Sequence, residues 1–187
     1  MKKIKITGAD VLVGIDFQRD LIDGVLGSNR AMEAANLAAN VLSKFADADA
    51  GVYLTQDLHD RKSYRDTIEG KAVDPHCIKN SEGSGINSRI GDILGYDGVR
   101  VLPKNTFLYH GWGNELSVYK DTRIFICGLV TDVCVVSNAL ALRSVFPTIP
   151  MYCIRDCCAG STPEKHLSAL DVMTSCLVSI IDSTDLE

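Results

Sequence analysis

The chain has 187 residues, 46% of them hydrophobic, and a net charge of −5 from 24 acidic and 19 basic side chains. A chain of this length buries roughly 70% of its unfolded surface, so residues 1–187 read as one domain, and the acidic balance without a Lys/Arg cluster excludes nucleic acid or an anionic membrane as the main partner. No apolar run approaches the roughly 20 residues of a membrane span, and Met1–Thr7 leads into a strand without the apolar core of a signal peptide; the expectation is a cytoplasmic protein with a small-molecule partner.

Short apolar runs bounded by turn residues alternate with helical patterns along the whole chain. The strands read are Val11–Ile15, Val52–Thr55, Val99–Leu102, Ile124–Cys127, Met151–Ile154 and Val178–Ile181. Between them the pattern predicts helices at about Ala31–Ala46, Ile86–Leu94, Gly113–Val118, Asp132–Ser144 and Pro163–Cys176. The last has a clear start, with Thr162 as cap and Pro163 at the first helical position, where its missing N–H costs nothing. Alternating elements with continuously apolar strands predict a doubly wound α/β domain: a mostly parallel, six-stranded, Rossmann-like sheet with helices on both faces. Ligands in such folds bind beyond the carboxyl ends of the strands, so the polar residues there matter most.

The first strand runs into Asp16-Phe17-Gln18, the second into Gln56-Asp57-Leu58-His59, the third into Pro103-Lys104-Asn105. Asp16 could take a proton from a thiol and Lys104 could hold that carboxylate and stabilise developing negative charge, although the two could equally form an ordinary ion pair at a strand rim. Asp57 and His59 are two apart in an extended segment and so point to one side, a spacing that suits a metal as well as a capped turn. His76, after Asp74-Pro75, could close such a site from a loop and leave coordination positions open; nitrogen and oxygen donors favour zinc, iron or manganese over calcium.

The fourth strand breaks at Gly128 and restarts as a helix, which places Cys134 at a helix N-terminus. Unpaired N–H groups and the helix dipole there favour a thiolate and make Cys134 the leading nucleophile. The seven cysteines are an odd number spread through apolar segments and read as reduced thiols. Packing suffices for Cys127, Cys153 and Cys176, and loop packing for Cys157-Cys158 after the strand end. Gly83-Ser84-Gly85 lacks the third glycine and preceding strand of a dinucleotide-binding turn. His110 and Trp112 lie in a glycine-flanked loop that could form an apolar wall or simply pack, and His166 reads as a surface or core residue.

In the order Ile15-Asp16-Phe17-Gln18, Thr55-Gln56-Asp57-Leu58-His59, His76-Cys77, Lys104 and Gly128-Leu129-Val130-Thr131-Asp132-Val133-Cys134, the chain resembles the isochorismatase-like cysteine hydrolases, and among them the nicotinamidases. The resemblance implies an Asp16–Lys104–Cys134 triad, a cis peptide between Leu129 and Val130, and an oxyanion hole from the Val130 and Cys134 N–H groups. It further implies a divalent metal, zinc before iron or manganese, on Asp57, His59 and His76, and a pocket shaped by Phe17, Tyr109 and Trp112. It implies a small amide as substrate, hydrolysed through a thioester, and a homo-oligomer. Ala72-Val73-Asp74-Pro75 stands where nicotinamidases often carry a tryptophan before the second metal histidine, so amide chemistry is the firmer inference and nicotinamide the weaker. A ureide or carbamoyl substrate is the rival within the fold; vinyl-ether hydrolysis needs no thiol, and a non-catalytic binding role would leave the triad without purpose.

Overall fold

The computed structural model describes residues 3–187. Six strands, β1 (Val11–Ile15), β2 (Gly51–Asp57), β3 (Val99–Lys104), β4 (Ile124–Leu129), β5 (Met151–Ala159) and β6 (Ser179–Ile181), form one sheet in the order β3-β2-β1-β4-β5-β6. Every neighbouring pair is parallel. The strand order reverses between β1 and β4, and the crevice at that switch point is where a parallel sheet of this type offers a ligand site.

Helices cover both faces: α1 (Arg19–Ile22), α2 (Asn29–Asp47), α3 (Ile68–Ala72), α4 (Trp112–Glu115), α5 (Val136–Val145) and α6 (Pro163–Ser175). The long α2 starts where Ser28 Oγ accepts the Ala31 N–H, and it lays Ala31, Ala34, Ala35, Ala38, Val41, Leu42 and Phe45 on the core. Small residues at the start of that stripe let the helix approach the sheet, and Phe45 then meets Phe125 of β4 edge-on at 5.0 Å. Helix α6 begins as its sequence predicts, with the Thr162 side chain accepting the Lys165 N–H and Pro163 in the first turn.

Three expectations are corrected. Residues 86–94 do not form a helix; only a tight 3₁₀ turn at Gly91–Gly95 appears. Ile86, Ile90 and Ile93 carry helical spacing, but Gln18 pairs with Ile86 as an isolated bridge, Phe17 O accepts the Asn87 N–H, and Asn87 Nδ2 donates to Asp23. Those tertiary bonds hold the segment extended. The helix expected at Gly113–Val118 shortens to Trp112–Glu115. Cys157 and Cys158 lie buried inside β5, not in a loop after it, because that strand bulges against β4 between the pairs Ile126–Cys153 and Gly128–Cys158.

Candidate active site at the β1–β4 switch point

Four consecutive strand ends converge here. Asp16 follows β1 in the left-handed region at φ 50° and is wholly buried, not exposed at a rim as its position after an apolar strand suggests. Thr55 of β2 donates its hydroxyl to Asp16 Oδ1 at 2.6 Å and accepts the Asp16 N–H at 3.1 Å. Lys104, the last residue of β3, places Nζ 2.6 Å from Asp16 Oδ2, 3.8 Å from Cys134 Sγ and 3.8 Å from Asp57 Oδ1. This is no rim ion pair, since both partners are buried.

Cys134 reaches the same point by a sharp backbone reversal. Gly128 has φ 133°, and a Cβ there would lie 2.2 Å from Ile15 O, so only glycine lets β4 pass the end of β1. The Leu129–Val130 peptide is cis, and Thr131–Val135 forms a π-helical turn leading into α5. Such turns concentrate at functional sites. Among the described residues, no backbone or side-chain acceptor takes the Val130 N–H.

Electrostatics modify the sequence reading of the thiol. Burial pushes the Cys134 thiol well above its ordinary range, and the Asp16 carboxylate adds to that push while Lys104 opposes it. Burial also raises the Asp16 carboxyl, against the pull of Lys104. Lys104 pays a desolvation cost, but Asp16, Cys134 and Asp57 outweigh it and hold the ammonium charged. Cys134 therefore rests as a thiol with a carboxyl group beside it, rather than as a thiolate.

Beside the triad, Asp57, His59, Glu69 and His76 bring one donor atom each to within 4.8 Å of one another. His59 Nε2 lies 2.9 Å from Asp57 Oδ2, and Glu69 reaches His59 Nε2 at 3.9 Å and His76 Nε2 at 3.6 Å. Asp57 Oδ1 and His59 Nε2 are buried without a hydrogen-bond partner, an arrangement costly unless a cation sits among them. His76 Nδ1 lies 2.9 Å from the Asp74 carbonyl, which can only accept, so Nδ1 carries the proton and Nε2 presents its lone pair to the cluster. Tyr64, buried against both imidazoles, places its hydroxyl 3.1 Å from the same Nδ1. The donor set fits zinc or a similar divalent ion.

Sequence reasoning missed Glu69, Thr55, Gln18, Tyr64 and Asn138. Glu69 lies on the five-residue α3, too short for any periodicity to show. Gln18 was visible as a polar residue in the β1 exit; its Nε2 donates to Asp57 O at 2.8 Å and its Oε1 accepts the Asp57 N–H at 2.7 Å, which clamps that ligand's backbone. Asn138, wholly buried one turn beyond the nucleophile, donates to Cys134 O and Phe107 O and accepts from Tyr109 N and Trp112 Nε1. It ties the 107–112 loop to the nucleophile's helix.

Donor cluster and thiol open on one cavity of about 610 Å³, walled by Leu21, Leu26, Ile68, Val73, Phe107 and Val133. The residues expected to shape it do not line it. Phe17 and Trp112 are core residues, Trp112 held inward by its bond to Asn138, and Tyr109 packs edge-on against Trp112 at 5.0 Å.

Known proteins bear on this geometry. A nicotinamidase of Schizosaccharomyces pombe is 28% identical over 121 residues, 59% of this chain; the match spans only about half of that relative, 54% of its length. The structure of a nicotinamidase from Bacillus subtilis superposes with a TM-score of 0.81 at 20% identity, over 93% of this chain and 99% of the other. A pyrazinamidase of Pyrococcus horikoshii in complex with zinc gives 0.77 at 22% identity, over 93% and 99%. At those identities the two structures testify to the fold alone. Residues 10–185 match the isochorismatase domain from before β1 to beyond β6, and so the chain belongs to the isochorismatase family.

Proposed function

We propose that the protein is a cysteine-dependent amidohydrolase of the nicotinamidase type, releasing ammonia from a small carboxamide. The observation that carries this reading is the convergence of Asp16, Lys104 and Cys134 at the sheet's switch point, with Cys134 on the wall of a cavity. All of these groups hang from one sheet, which supports a single hydrolase domain.

As the thiol attacks the carbonyl carbon, its proton passes to Asp16, whose raised basicity in the buried site suits that task. The carbonyl oxygen, now anionic, rests on the N–H groups of Val130 and Cys134. Asp16 returns the proton to the departing nitrogen, ammonia leaves, and a thioester remains on Cys134. A water then gives its proton to Asp16 and attacks the thioester, freeing the acid and restoring the thiol. Lys104 stays charged throughout, orienting Asp16 and countering negative charge beside the sulfur.

Asp57, His59, Glu69 and His76 would hold a divalent metal, zinc first among the candidates. The chemistry it would supply is a Lewis-acid position for a ring nitrogen of the substrate. A substrate ring so held would keep its carboxamide near Cys134, and such orientation can be worth several kcal/mol of a barrier, roughly 7 or more in the best cases. The test pairs metal analysis on protein purified without chelator with two substrates. Nicotinamide should be hydrolysed far faster than benzamide, which has the carboxamide without the ring nitrogen. A metal-free protein that treats the two alike would remove the metal role, and inertness toward every amide would remove the amidase reading.

A further inference from the structure

The cavity is built for more than a single ring. Apolar side chains line it at graded exposure: Leu21 is 5% exposed, Leu26 37%, Phe107 44% and Ile68 82%. Phe107 is the one phenyl ring among the lining residues; the other rings there are the imidazoles of His59 and His76 in the donor cluster. The volume of about 610 Å³ lies in the range that accommodates ligands of drug size, and a single-ring carboxamide anchored between Cys134 and the donor cluster leaves the outer apolar walls unfilled.

Charge narrows the class further. No arginine or lysine lines the cavity, while Asp57 and Glu69 both do. A substrate whose own carboxylate lay on the outer apolar walls, away from Lys104 and the donor cluster, would bury that charge without a cation to receive it.

We propose that the preferred substrates are uncharged primary carboxamides whose apolar body extends from the reacting centre past Leu26 and Phe107 to Ile68 at the mouth. The inference rests on the amidase reading above and specifies its substrate class. An exposed run of apolar side chains around an active-site entrance then has a purpose, since each methylene laid against it leaves water.

The test compares kcat/KM for nicotinamide, its ring-propyl and ring-hexyl derivatives, and the hexyl derivative ending in a carboxylate. Each methylene buried is expected to raise kcat/KM about three- to fourfold until the mouth is reached. The carboxylate-ended compound should fall back to the level of nicotinamide or below. Ile68→Asp should lower the ratio of hexyl to unsubstituted rates, and Ile68→Leu should restore it. A series that stays flat or falls while nicotinamide is hydrolysed, or a carboxylate that speeds the reaction, overturns the proposal and leaves the amidase reading in place. If none of the compounds releases ammonia, the amidase reading falls and takes the proposal with it.

Discussion

Two of the cavities on this molecule, of similar size, differ in how their polar groups are paired. The one at the switch point contains buried atoms without partners, Asp57 Oδ1 and His59 Nε2, beside a thiol with a buried carboxylate next to it. The other, about 560 Å³ between α2, β5 and α6, also has acids, arginines and a histidine in its walls. There Arg155 is bidentate to Asp182, Asp156 accepts from Ser183, and His166 is bonded to Thr131 at 2.9 Å. Its charged groups stabilise their own fold. Unsatisfied buried polarity, more than volume, distinguishes the proposed site of chemistry from a seam between packed elements.

Variants can break or sharpen that contrast. The largest effect belongs to Cys134→Ala, which removes the nucleophile: steady-state amide hydrolysis should vanish while the melting temperature holds to within a few degrees. Residual turnover in that variant would dissociate the switch-point cavity from the reaction. Asp16→Asn should follow, with a loss of at least about 100-fold, the lower bound typical of a general base. A loss below about tenfold would reduce Asp16 to a structural partner of Lys104.

The same carboxylate sets a pH dependence. Because burial raises the Asp16 carboxyl, it becomes protonated, and inactive as a base, at a pH above the ordinary carboxylate range. The acid limb of kcat/KM should therefore lie above the ordinary aspartate value of 3.8. Lys104 holds that carboxyl down, so Lys104→Met should carry the limb further up in pH. A limb that moves down, or does not move, would contradict the electrostatic assignment.

Metal affinity comes next in size. His76→Ala should abolish stoichiometric divalent metal, and Tyr64→Phe should weaken it about 10- to 100-fold, as loss of an outer-shell partner of a ligating histidine typically does. Equilibrium dialysis against zinc reads both without reference to activity. Equal zinc content in the wild type and His76→Ala would undo the ligand set.

The smallest pair tests support and surface. Asn138→Ala strands Trp112 Nε1 and two carbonyls, at about 1–3 kcal/mol for each buried group left unpaired, and should lower the melting temperature by several degrees. Arg155→Ala, in the second cavity, removes a half-exposed ion pair worth about 0–1 kcal/mol and should leave turnover unchanged. A marked fall in turnover on losing Arg155 would give that cavity a functional connection it otherwise lacks.

Local chemistry made much of this legible from residues alone. Short apolar runs mark all six strands and helical spacing marks α2, α5 and α6, because burial of a strand or helix face follows from the order of residues along the chain. Asp16, Lys104 and Cys134 stand out as polar or reactive groups where apolar strands end, and Asp57, His59 and His76 as donors with metal-like spacing. Strand order, by contrast, is set by which edges pair across the sheet, and so only the fold brings β1 and β4 together as the switch point. Glu69 joins the donor set from a five-residue helix without periodicity. Phe17 and Trp112 turn into the core because bonds and packing from distant segments fix them there, which leaves the pocket wall to Leu26, Ile68 and Phe107. Residues 86–94 carry a helical spacing that contacts with Phe17, Gln18 and Asp23 override. The protonation of Cys134 also belongs to the tertiary level: desolvation depends on everything packed around the sulfur, and with the nearby Asp16 carboxylate it raises the thiol above its ordinary range.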